Sequence, residues 1–122
     1  MKKLFLSFCF VLMLLFSISC SYTVILNSEE AELRMTEKGY KTTIVVHYGD
    51  TAKNFNVQQV TIFDATMDND FIQVYYFTNE EDTETFYKDR AASLSSGVDV
   101  VRKNKYSIYR GTEKAVEDFL QQ

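Results

Sequence analysis

The run Phe71 to Phe77 constrains this chain more than any other stretch, because it is apolar on both sides. Successive side chains of an extended strand point opposite ways. Ile72, Val74 and Tyr76 therefore share one face, while Phe71, Gln73, Tyr75 and Phe77 share the other. Large apolar groups on both faces predict a central strand of a sheet.

The rest of the chain arranges itself around that strand. Asn27 to Lys38 reads as a helix, with Asn27 and Glu30 at capping-box spacing and Glu29, Glu30 and Glu32 crowding its positive end. Gly39 suits its left-handed stop, and Tyr40 can pack back on the last turn. Thr42 to Tyr48 is β-branched and aromatic, hence a strand. Thr51 to Asn56 is a loop or a single helical turn, Val57 to Ala65 a second strand, and Asp68-Asn69-Asp70 a polar turn.

Thr78 and Glu81 stand at capping spacing before the longest helix, whose stripe is Phe86, Tyr87, Ala91 and Leu94, with Lys88, Asp89 and Arg90 on the wet side. Ser95-Ser96-Gly97 closes it. Val98 to Arg102 and Lys105 to Arg110 predict a hairpin turning at Lys103-Asn104, with Val98, Val100, Tyr106 and Ile108 inward. Gly111-Thr112 breaks into a last helix that buries Ala115, Val116, Phe119 and Leu120. Short connections between adjacent strands imply antiparallel pairing. The expected fold is α+β, an antiparallel sheet of about five strands covered on a face by two to three helices, in two layers. A ferredoxin-like βαββαβ arrangement, with Tyr22–Leu26 as first strand, is the alternative.

Residues 1–19 have the parts of a secretory leader. Lys2 and Lys3 open it, an apolar core runs from Leu4, and Ser17 and Ser19 stand at the −3 and −1 positions of a cut before Cys20. The apolar run to Ile18 is about 15 residues, roughly 22 Å as a helix, which falls short of the ~30 Å of hydrocarbon in a bilayer. The segment Phe16-Ser17-Ile18-Ser19-Cys20 resembles the lipobox of bacterial lipoproteins, although Ser17 stands where leucine is commonest. The resemblance implies diacylglycerol on Cys20, and two acyl chains suffice for stable anchoring. Residues 20–122 then form one small domain on the extracytoplasmic face of a cell membrane, with no disulfide, since Cys9 leaves with the leader and Cys20 carries lipid. Loss of Lys2 and Lys3 takes the cations from 13 to 11 against 17 acids, so the net charge goes from −4 to −6. That balance argues against nucleic acid as a partner.

Three further segments carry a second likeness: Lys38-Gly39-Tyr40, Tyr75 to Asp82 followed by Phe86-Tyr87, and Val100 to Lys103 leading to Tyr106 through Ala115. Together with the leader they are similar to small uncharacterised lipoproteins of Gram-positive type. That resemblance implies a surface lipoprotein and assigns no active residues.

Chemistry-bearing constellations are sparse. His47 is the only histidine, and Thr61, Ser93 and Ser107 stand in no nucleophile-elbow context. Asp68-Asn69-Asp70 lacks the glycine, spacing and closing glutamate of a calcium loop. No cofactor or metal is expected. Tyr75 and Tyr109 are candidate binding residues on a face free of helices, and Lys103 and Lys105, with Arg102, Arg110 and Lys114 nearby, form a basic end suited to an anionic envelope polymer. The expected role is a non-enzymatic interaction or ligand-binding domain whose partner is an envelope protein or polymer. The alternatives are a small envelope hydrolase, which needs paired acids in a pocket, and a structural or inhibitory lipoprotein.

Overall fold

The computed structural model describes residues 25–121. The leader, Cys9, Cys20 and residues 22–24 lie outside them. Ile25 and Leu26 are not in a strand: Tyr76 Oη donates to the Leu26 carbonyl at 2.6 Å, which holds this segment against a face of the sheet.

The first helix, α1 (Ser28–Glu37), begins as its sequence predicts: the Asn27 side chain accepts from the Glu30 amide at 2.9 Å. It ends in a Schellman turn. Gly39 takes φ +97°, its amide bonds the Thr36 carbonyl at 3.0 Å, and the Tyr40 amide bonds that of Met35 at 2.9 Å. The chain then runs through β1 (Lys41–Tyr48), the single turn α2 (Asp50–Lys53), β2 (Gln59–Met67) and β3 (Asp70–Phe77). After α3 (Glu80–Ser95) come β4 (Val100–Lys103), β5 (Ser107–Gly111) and α4 (Glu113–Leu120).

The result is an α+β fold with one open, five-stranded antiparallel sheet in the order β1-β2-β3-β5-β4. β3 is central, with Phe63 opposite Val74 on one side and Tyr109 opposite Val74 on the other. β5 inserts between β3 and β4, so among the described residues the sheet ends in β1 at one rim and β4 at the other. This is not the ferredoxin-like order.

The helices clad both faces of the sheet, which makes three layers where two were expected. On the first face α1 and α4 bury Ala31, Met35, Phe63, Ile72, Val74, Tyr109, Val116 and Phe119. On the second, α2 and α3 bury Ala52, Val60, Phe77, Phe86, Leu94 and Ile108. The cause is visible in the alternation. β2, β3 and β5 carry apolar residues at both parities, so one covered face would leave Val60, Phe77 and Ile108 wet.

Two details of α3 depart from the sequence pattern. Its cap is Asn79, not Thr78: the Asn79 side chain accepts from the Asp82 amide at 2.8 Å. The Asp82 carboxylate takes the Asn79 amide at 3.0 Å and the Gln58 backbone amide at 2.9 Å, which ties the helix start to the segment before β2. Arg90 has non-helical angles (φ −123°, ψ 17°), and this kink turns Ala91 outward and Arg90 over Phe86 and Phe55, at 4.8 and 5.2 Å from the ring centroids. The hairpin after α3 also turns later than predicted, around residues 104–106, which leaves Tyr106 outside while Ile108 is buried.

Candidate functional site

Tyr75 and Tyr109 do not share a surface. They sit at opposite parities on β3 and β5, so they face opposite sides of the sheet, and helices lie over both. Tyr109 is 7% exposed, packed 6.3 Å from the Phe119 ring. Tyr75 is half-buried with its ring 4.9 Å from Phe86, and its hydroxyl donates to Gln73 Oε1 at 2.6 Å. Burial pushes the pKa of both phenols above the usual tyrosine range, as expected of tyrosines in a core.

The basic end is likewise divided. Lys103 pairs with Glu84 of α3 and lies over the Tyr87 ring at 5.5 Å, whereas Lys105 stands over Tyr106 on the turn. Arg102 donates to its neighbour's carbonyl, Val101 O, at 2.8 Å. Arg110 turns inward altogether. Its Nε donates to Leu94 O at 2.7 Å, Nη2 to Ser96 O at 2.9 Å and Nη1 to Gln73 Oε1 at 3.2 Å. The last turn of α3 carries no basic residue of its own, so this guanidinium from β5 satisfies its terminal carbonyls.

Arg110 belongs to a polar row across the second face, in which Asp64 on β2 lies opposite Gln73 on β3, and Gln73 opposite Arg110 on β5. Partial burial raises the Asp64 pKa, and the Gln73 amide and the Arg110 charge oppose that rise. The Gln73 oxygen accepts from both Tyr75 and Arg110, so its amide nitrogen is left for the Asp64 side. These groups complete one another's hydrogen bonding. His47, the one imidazole, leans on Phe55 at 5.0 Å, and its cross-strand partner Val60 is four residues from Asp64, about 13 Å along the strand. No nucleophile–base–acid relay is assembled there. Among the described residues there is no cluster of three or more metal-ligating side chains, and no helix is long and apolar enough to cross a membrane.

Among the described residues, what the fold leaves open is the β1 rim. There β1 pairs with β2 along one side only, through all eight of its residues. Val45 and Val46 are 46% and 45% exposed, one on each face, and Tyr48 at the strand's end is 70% exposed. Between Lys41 and Asp50 the rim carries no acid, lysine or arginine, and it has no proline. Those are the devices that ordinarily blunt a sheet edge. β4, the other rim, has four residues and exposes Arg102 and Lys103. The sequence signal for the open rim is the Val45-Val46 pair, which puts a β-branched side chain on each face of a strand whose flanks are Thr42, Thr43 and His47. Its rim position depends on β5 inserting on the far side of β3, a non-local event. Comparison with protein-family models, with curated proteins and with solved structures finds no match to this chain.

Proposed function

We propose that this chain is a lipid-anchored extracytoplasmic domain of a bacterial membrane that acts by non-enzymatic contact, taking an extended polypeptide segment onto the β1 rim. The observation that carries the contact is an eight-residue edge that no other described strand pairs, with Val45 and Val46 half-exposed on its two faces. Strand addition suits it: main-chain hydrogen bonds supply affinity, and alternate side chains read the guest. The anchor rests on the order of charge, apolar core and small residues that ends at Cys20.

Both halves are open to direct test. Mass spectrometry of the chain from bacterial membranes should find residues 1–19 removed and two or three acyl chains on residue 20, and Cys20→Ala should release the protein from the membrane. An unmodified Cys20 rejects the anchor. For the contact, Val45→Lys with Val46→Lys should abolish co-purification of envelope proteins from solubilised membranes while leaving circular dichroism unchanged. Unaltered co-purification rejects the rim as the site.

A further inference from the structure

We infer that the segment added to the β1 rim is β1 of a second copy of the chain, paired antiparallel about a twofold axis at Val45; this rests on the reading of the rim as the contact surface. Three features favour the second copy.

The first is charge. Lys41 opens the rim and Asp50 stands just past its end, with only uncharged residues and His47 between them. Antiparallel self-pairing about Val45 sets Lys41 of each copy opposite Gly49 of the other, at the end of the rim where Asp50 stands, whereas parallel pairing sets lysine beside lysine. Asp50 already faces Lys53 of its own chain at 3.5 Å, but its side chain is almost fully exposed and keeps lone pairs free.

Side-chain pairing is the second. A closed twofold normal to the sheet keeps each face continuous, which requires residues of the same parity to stand opposite each other. Centred on Val45, the register sets Val45 against its own copy, Ile44 against Val46 and Thr43 against His47. β-Branched side chains thus meet on both faces at the centre.

Size is the third. An eight-residue edge buries less than a standard stable interface, so the pair is weak in dilute solution. Two domains held on one membrane face meet at high effective concentration, and a modest contact then suffices.

The test uses the full chain in membranes of a bacterial host. Val45→Cys should yield a covalent dimer with a short bis-maleimide reagent. Leu33→Cys, 67% exposed on the outer side of α1, and the unsubstituted chain should not. Adding Val46→Lys to Val45→Cys should lower the dimer yield roughly tenfold. In parallel, sedimentation equilibrium of the unsubstituted chain in detergent should show mass rising towards the dimer with concentration, and Val45→Lys should stay monomeric. A mass that stays monomeric, or equal cross-linking from Leu33→Cys, overturns self-pairing. If Val45→Cys instead captures a different polypeptide, the rim remains the contact surface and only the second copy is rejected.

Discussion

The guanidinium of Arg110 donates to the carbonyl oxygen of Leu94 at 2.7 Å, so a residue of β5 closes the end of a helix 16 positions earlier in the chain. With its bonds to Ser96 O and Gln73 Oε1, this contact fastens α3 to the sheet where the last turn of the helix has no basic residue of its own. Arg110→Met should therefore cost about 1.5–3 kcal/mol, the range for hydrogen bonds to a charged group. Arg110→Lys should recover little, because one ammonium cannot span a three-acceptor fork. Urea titration gives the loss, and amide exchange should speed up over 91–96 before the rest of α3.

Gly111 is required for close approach rather than for its torsion angles. A Cβ there would lie 2.2 Å from Phe71 O and 2.9 Å from Ile72 Cα, both backbone atoms of the neighbouring strand. Gly111→Ala should force β3 and β5 apart and cost about 3 kcal/mol, near the upper end for overpacking. A thermal melt within a degree of the parent would contradict that packing.

Helix capping separates two neighbouring residues. Asn79→Ala should cost about 1–2 kcal/mol, since it frees the Asp82 amide and the carboxylate that holds Gln58. Thr78→Ala should change stability by less than about 0.5 kcal/mol, as an exposed position outside the cap. The reverse ranking in denaturant melts would put the helix start one residue earlier.

Asp64 gives a pH signature. Burial raises its folded pKa above the ordinary 3.8, against the pull of Gln73 and Arg110. The folded state then holds the proton more tightly than the unfolded chain, so the stability Asp64 contributes is complete below about pH 3.8 and is lost as pH rises through the folded value. Asp64→Asn should melt higher than the parent at pH 7, and the two should converge near pH 3. A variant less stable than the parent at pH 7 would mean that the carboxylate's contacts outweigh its burial.

The two apolar clusters make a further prediction. Phe86 belongs to the second face and Phe119 to the first, with the sheet between them. Phe86→Leu and Phe119→Leu should each cost about 1–1.5 kcal/mol, and the double variant should cost their sum to within about 0.5 kcal/mol. Strong coupling would indicate one shared core.

Local signals in the sequence translated well into structure. Asn27 with Glu30, the Gly39-Tyr40 stop, the doubly apolar β3 and the break at Gly111-Thr112 all depend on neighbours within a few residues. The misreadings involve partners far along the chain. Arg90 looked wet until the kink set it over Phe55, 35 positions away, and Tyr109 looked free until α4 placed Phe119 against it. The basic end dissolved for the same reason, because Glu84 pairs with Lys103 and the α3 carbonyls take Arg110. The β1 rim was hidden in the same way, since nothing within β1 reports which strand flanks it.

The two ends of the sheet are unequal, and that inequality bears on how far copies could stack. Val100–Lys103 offers four residues and sets Arg102 and Lys103 along its margin, where a like-charged twin would be repelled. Chains that join through Val45 therefore present only these short cationic ends outward. For such a pair growth would stop at two copies, and a long edge that could otherwise seed fibrils would become a self-limiting joint.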